Sequence, residues 1–139
     1  MSYHAFVANI YGYHIFPPDP TFAICSMRDA LETNLDKEEN CIRDAYILGA
    51  AQWILWNGHS LFMQLCCPED EHVRNKSPSQ RVGKLYSGKP GLTVHRWAFW
   101  RERFAEIAAG KMPSVGDECK GVAGRAVDIM ACLDRNLTF

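Results

Sequence analysis

The sequence predicts an all-α protein, a single domain of four or five helices around a buried central helix. The stretch from Ala45 to Cys67 contains no formally charged residue, which favours a long interior helix. In later segments, apolar side chains recur at intervals of three and four residues, which places them on one helix face. No stretch has the pattern of paired strands. Residues 1–20 are predicted to form an aromatic N-terminal arm, and residues 21–139 the helical domain.

Prolines and acidic residues set the expected ends of the first two helices. Pro20 can open a helix that runs through about Leu35, because its fixed φ suits the first turn. The central helix is expected to begin near Asp36, since negative charge at a helix N-terminus interacts favourably with the helix dipole. Pro68 is expected to end it, because proline removes a backbone donor and clashes with the preceding turn.

Turn and capping residues predict the later helices. A short helix opens near Pro78 and runs through Tyr86. Thr93 is a natural N-cap for the next helix, which Gly110 ends, and Ser114 is expected to cap the last one. The side chains expected inside the domain are Trp53, Leu55, Trp97, Phe104, Val122 and Ile129.

Five polar residues, among them Gln52, His59 and Gln64, interrupt the uncharged central stretch. Lipid offers no partner for an amide group, so the sequence predicts no membrane span. Gln52, Trp56 and His59 share one helix face. Polar groups on a buried helix must form hydrogen bonds with other protein groups, bind water or contact a ligand. The central helix is therefore expected to face a cavity or a partner.

The net charge of -1 conceals a segregation along the chain. Residues 1–73 carry 3 basic and 10 acidic side chains, residues 74–103 carry 8 and 1, and residues 104–139 carry 4 and 5. The basic middle is expected to lie against acidic surface, within one chain or across a homodimer. The pI of about 6.5 and the absence of a recognised nucleic-acid-binding motif in the sequence argue against a nucleic-acid partner.

The chain has six cysteines, an even number that also suits a secreted disulfide scaffold. Its first residues show neither a cationic region nor a continuous apolar core followed by a small-residue cleavage site. The cysteines are therefore interpreted as small buried hydrophobic side chains in a reduced protein. The predicted location is cytoplasmic.

Familiar catalytic signatures do not occur in the sequence. It has no glycine-rich phosphate loop, no G-x-S-x-G elbow, no H-E-x-x-H and no C-x-x-C. A metal site built from His59, Cys66, Cys67 and His72 is disfavoured, because adjacent cysteines seldom chelate one ion and the spacing matches no zinc module. We expect neither a metal nor a cofactor.

His59, with Gln52 and Trp56 on the same helix face, is one candidate for chemistry. Trp97 and Trp100, with Arg101 beside them, are another, because a planar guanidinium can hold a carbonyl or carboxylate at a pocket rim. Both groups have an ordinary structural interpretation, since such histidines and tryptophans are more often satisfied core residues than functional ones.

Three segments resemble a fungal family of small helical proteins, the DUF3632 family. They are Ala50–Gly58 (AAQWILWNG), Gly91–Arg101 (GLTVHRWAFWR) and Glu118–Met130, and the resemblance covers about residues 38 to 139. It implies an α-helical fold and a fungal source. Some members of the family lie in natural-product gene clusters.

The resemblance implies a cofactor-independent cyclase or isomerase of fungal secondary metabolism. One such reaction adds a hydroxyl across an activated alkene of a small apolar or aromatic natural product and closes an oxygen heterocycle. The reaction needs aromatic walls, groups that move protons and groups that orient oxygens. Candidate walls are Trp56, Trp97 and Trp100; proton-moving candidates are His59, Asp44 and Asp128; orienting candidates are Gln52 and Arg101.

The alternative is a non-enzymatic interaction or regulatory domain that acts as a homodimer. In that case the same aromatic and apolar stripes are only core and dimer interface. An enclosed apolar pocket with convergent polar groups would favour the enzyme.

Overall fold

The computed structural model describes residues 5–6, 20–66 and 78–136, except Pro113. These residues form α1 (Thr21–Leu31), α2 (Asn40–Cys66), a 3-10 turn (Pro78–Gln80), α3 (Val94–Ala108) and α4 (Asp117–Asn136). No strand occurs among them, which confirms the all-α prediction. Most of the predicted N-terminal arm lies outside the described residues, as do Pro68 and Ser77. None of the described helices combines the length and apolar composition of a membrane span.

The central helix α2 packs against α1 on one side and α4 on another, and α3 packs against α4 and α1. Trp53, Trp97, Phe104 and Val122 are buried, as predicted. Leu55 is only partly buried and packs at the edge of the core, as does Ile129.

Side-chain hydrogen bonds explain where the first two helices end and begin. α1 stops at Leu31, before the predicted end, and the side chain of Asn34 then accepts from the backbone N–H of Asp36 at 2.9 Å to form a local turn. Arg43 donates to the carbonyl oxygens of Leu35, Asp36 and Glu38, which holds this turn outside the helix. α2 consequently begins at Asn40.

The caps of the last two helices differ in how well the sequence predicts them. The Thr93 hydroxyl oxygen accepts from the backbone N–H of Arg96 at 3.1 Å, which confirms the predicted N-cap. Ser114 does not cap α4, because its φ of 65° is left-handed whereas an N-cap residue is normally extended. α4 begins at Asp117 instead, after Gly116.

A buried ion pair joins α1 to α3. Arg96 and Glu32 are both 0% exposed, and Arg96 Nη2 lies 2.8 Å from Glu32 Oε2. Arg96 Nε also donates to Glu32, while Nη1 donates to the backbone carbonyl oxygens of Gln80 and Gly91 and Nη2 donates to that of Arg81. This contact pairs a residue of the basic middle segment with one of the acidic first segment inside a single chain.

The segment before α3 also approaches the end of α1 very closely. A Cβ atom placed on Gly83 would lie 2.6 Å from the backbone oxygen of Glu32, a distance that real Cβ atoms do not adopt. The same carbonyl accepts from the N–H of Leu85 at 2.9 Å. Glycine at position 83 therefore lets this segment cover the buried ion pair.

Candidate functional site

An open groove of about 870 Å³ runs along the N-terminal half of α2 and the first turns of α4. Its volume falls within the usual range of small-molecule sites. The described residues that line it are Ala5, Cys41, Ile42, Ala45, Tyr46, Leu48, Gly49, Gln52, Trp56, Glu118 and Val122. Most of these side chains are apolar, so the groove suits an apolar ligand.

Among the described residues, part of the α2 surface beside the groove is left exposed. Ile42, Tyr46 and Trp56 are 40%, 43% and 51% exposed, which is high for large apolar side chains in a soluble domain. All three line the groove, together with Glu118 and Val122 of α4. A large exposed apolar surface of this kind usually marks a site that binds a ligand or a partner.

Gln52 and Trp56 form a polar pair at the groove. Trp56 Nε1 donates to Gln52 Oε1 at 2.9 Å. An indole nitrogen can only donate, so it fixes which amide atom of Gln52 is the oxygen. In the described part of the chain the NH₂ group of Gln52 makes no hydrogen bond, and it is available to donate to an oxygen atom of a ligand.

Glu118 brings a carboxyl group to the groove, from the second residue of α4. The sequence alone does not single out this residue. Its position in the first turn of a helix has the ordinary explanation of a favourable dipole interaction, so nothing local distinguished it. Only the packing of α4 against α2 shows that Glu118 lines the same groove as Gln52 and Tyr46.

The three proton-moving candidates lie in three different places. His59 is exposed on the same side of α2, beyond the described lining of the groove. Asp44 Oδ2 accepts from the backbone N–H of Gly116 at 3.3 Å, at the start of α4. Asp128 is exposed in a separate hollow with Arg101. A single chain does not bring them together.

Trp97 and Trp100 lie in the core, and neither belongs to the described lining of the groove. Trp97 donates from Nε1 to Asp134 Oδ1 at 3.2 Å, and Arg101 forms an ion pair with the same carboxylate. Trp100 lies under Arg96, with the guanidinium carbon 5.3 Å from its ring centroid. The wall opposite α2 is thus supplied by α4 rather than by the helix that carries these two tryptophans.

No group of three potential metal ligands occurs among the described residues. Cys67 and His72, which belonged to the disfavoured metal site, lie outside those residues.

Cys119 is buried in the first turn of α4, with its Sγ atom 4.0 Å from the backbone oxygen of Asp44. The pKa of its thiol is raised from 9.0 to about 12, chiefly by burial and to a smaller extent by the nearby carboxylates of Asp44 and Glu118. An unfolded chain loses this proton near pH 9.0, whereas the folded chain keeps it until about pH 12. The stability of the folded state is therefore expected to fall as the pH rises through this window, by at most about 1.4 kcal/mol per pH unit from this thiol.

Urea unfolding at pH 8, 9 and 10 measures this effect when the wild type is compared with Cys119→Ala. The variant lacks the thiol, so its stability should depend less on pH in this range. Parallel pH profiles for the two proteins would contradict the prediction. Thiol labelling of the native protein at pH 8 should modify the exposed Cys41 and Cys132 and spare Cys119.

These elements define a small all-α domain with a ligand-sized apolar groove on its central helix. The family model of DUF3632, described as a protein of unknown function, matches residues 1–104. The chain belongs to the DUF3632 family. The match includes the Ala50–Gly58 and Gly91–Arg101 segments, whereas Glu118–Met130 lies beyond it. Comparisons with curated proteins and with solved structures gave no match.

Proposed function

We propose that this protein binds a small apolar natural product in the groove and catalyses its cofactor-independent cyclisation or isomerisation in fungal secondary metabolism. The observation that supports this most is the combination of a ligand-sized apolar groove with an oriented amide donor, Gln52, and a carboxyl group, Glu118. Sites of this kind use apolar walls for affinity and a few polar groups for orientation.

The proposed reaction adds an O–H bond of the substrate across one of its own C=C bonds. A proton is delivered to one alkene carbon, the hydroxyl oxygen forms a bond to the other carbon, and the hydroxyl proton goes to a base. The molecular formula does not change, and no oxidant or reductant is consumed. Such a reaction requires a folded substrate and proton transfer, and both can be supplied by side chains.

Each role has a candidate in the groove. The Gln52 amide donates to an oxygen atom of the substrate and orients it, and Glu118 exchanges protons with the reacting atoms. The aromatic rings of Tyr46 and Trp56 flank the positive charge that develops on carbon. Cytoplasmic location remains part of this proposal.

The second candidate function is a non-enzymatic interaction or regulatory domain. It is favoured by Met63, which is 46% exposed on the same side of α2 but beyond the described lining of the groove. The exposed apolar surface is thus longer than a small ligand requires.

Binding in the groove is tested with N-phenyl-1-naphthylamine, an uncharged apolar dye that fluoresces when it leaves water. We expect saturable binding to the wild type, and a loss of about tenfold in affinity in Trp56→Ala, which corresponds to about 1.4 kcal/mol. Val94→Ala is the control, because Val94 is 71% exposed and lies at the start of α3. Equal affinities for all three proteins would exclude the groove as the binding site.

Turnover is tested by incubating the protein with small-molecule extracts of fungal cultures and separating the products by chromatography with mass detection. The expected product has an unchanged mass and a changed retention time. Glu118→Gln and Gln52→Leu should abolish the conversion while circular dichroism shows an unchanged helix content. If no extract component is converted, the interaction-domain function replaces the enzyme.

A further inference from the structure

Contacts between the starts of α2 and α4 place Glu118 at one end of the groove. The Sγ atom of Cys119, the next residue, lies 4.0 Å from the backbone oxygen of Asp44. Tyr46 follows Asp44 by two residues and lines the groove as Glu118 does. Trp56 is ten residues beyond Tyr46, which is about 15 Å along a helix that rises about 1.5 Å per residue. The groove is therefore elongated, with Glu118 near one end and Trp56 toward the other.

The end of the groove near Glu118 carries negative charge. Glu118 is the only charged side chain among the described residues that line the groove, and it forms no ion pair within the described part of the chain. Cys41, which also lines the groove, donates from Sγ to Glu39 Oε2 at 3.9 Å, so a second carboxylate lies close by. Lys120 lies 3.9 Å from Asp117 and is paired there instead.

The helix dipoles do not reverse this charge. α2 and α4 both begin at this end of the groove, and each N-terminus contributes about half a positive elementary charge. Glu39 and Glu118 contribute a full negative charge each, which leaves about one negative charge at this end. Negative charge also acts here within the protein, since Asp44 and Glu118 help to raise the pKa of the buried Cys119 thiol.

The rest of the groove suits an apolar body and an adjacent positive charge. Tyr46 and Trp56 are 43% and 51% exposed, so their rings are accessible to a ligand, and aromatic rings attract cations. Ala45, Leu48 and Gly49 also line the groove between these two rings and offer no polar side chain. A ligand with a carboxylate would instead bring a like charge toward Glu118, which is unfavourable beside an apolar surface.

We propose that the groove selects elongated apolar amines in their protonated form, with the ammonium group beside Glu118 and Tyr46 and the apolar body directed along α2 toward Trp56. Calling this ligand the substrate rests on the proposed function, whereas the binding preference does not. The ammonium group favours the ionised form of Glu118, which is the form that accepts a hydroxyl proton in the proposed reaction. The NH₂ group of Gln52 serves an oxygen atom further along the ligand.

Isothermal titration calorimetry of the full chain with three ten-carbon ligands tests the preference. At pH 7 decylamine is protonated, decanol is neutral and decanoate is ionised, so the three share one apolar chain and differ in the charge of the head group. We expect decylamine to bind about tenfold more tightly than decanol, and decanoate about tenfold more weakly. Decanoate that binds as tightly as decylamine would overturn the proposal, and so would a failure of all three ligands to bind.

Two variants test the role of Glu118. Glu118→Gln removes the charge and keeps the size of the side chain, so it should abolish the preference for decylamine over decanol and leave the affinity for decanol unchanged. Asp117→Asn is the matched control, because Asp117 lies in the same turn of α4 and its side chain is fully exposed. A preference that persists in Glu118→Gln, or that is lost equally in Asp117→Asn, would overturn the assignment of Glu118.

The binding and turnover experiments fail separately. Preferential binding of decylamine by a protein that converts no extract component overturns the proposed enzyme alone. Conversion of a component without a basic nitrogen, by a protein that shows no preference among the three ligands, overturns the ligand class alone.

Discussion

Replacement of Arg96 by methionine is expected to lower the free energy of unfolding by about 3–5 kcal/mol, the usual cost of leaving one member of a buried ion pair without its partner. Glu32 is 0% exposed, so its carboxylate would have no access to water. The carbonyl oxygens of Gln80, Arg81 and Gly91 would lose their donors at the same time. Urea unfolding followed by circular dichroism measures the loss.

Two variants separate the ion pair from the backbone contacts. Arg125→Met removes an exposed arginine from α4 and should change stability by about 0.5 kcal/mol or less. The double variant Glu32→Leu/Arg96→Met removes both charges but still leaves the three carbonyl groups without their donor. We therefore expect it to recover only part of the loss. Full recovery of the free energy of unfolding would show that Arg96 stabilises the fold by neutralising Glu32 and not by donating to the three carbonyl groups.

Replacement of Trp100 by alanine is expected to cost a similar amount, about 3–5 kcal/mol, because the side chain is buried in a core that can collapse only partly. Its exposure is 1%. Trp100→Phe should cost less, since the buried indole N–H has no hydrogen-bond partner within the described structure and nothing is lost when it is removed. Stability is measured by urea unfolding.

The contrast with Trp56 makes this prediction specific. Trp56 is half exposed, so Trp56→Ala should leave stability close to that of the wild type. It should weaken binding of the naphthylamine dye, whereas Trp100→Phe should not. Equal losses of dye affinity in both variants would mean that the groove depends on the core tryptophan after all.

Local chemistry explains which parts of the fold were predictable. The Thr93 cap involves residues three positions apart, and the apolar spacing of α3 is visible within one segment, so both could be predicted from the sequence. Glu32 and Arg96 are 64 positions apart, and neither has a local sign of its partner. An arginine within an apolar helix face, next to Trp97, was the available signal, although only tertiary packing shows which acid it meets.

The candidate site was predictable only in part, for a related reason. Helical periodicity places Gln52, Trp56 and His59 on one face of the central helix, and in the structure this face is the exposed one. Periodicity does not say which faces receive neighbouring helices. The first turns of α4 line the groove together with Gln52 and Trp56, while His59 remains outside its described lining.

The position of α4 shows that the family match ends before the folding unit does. The family match ends at residue 104, before α4 begins. Yet α4 covers both α2 and α3, and its Asp134 satisfies the indole of Trp97. A fragment cut at the edge of the family match would expose these apolar surfaces to water and invite aggregation. The C-terminal boundary of an expression fragment is therefore better placed after Asn136, where α4 ends, than at the last residue that aligns with the family.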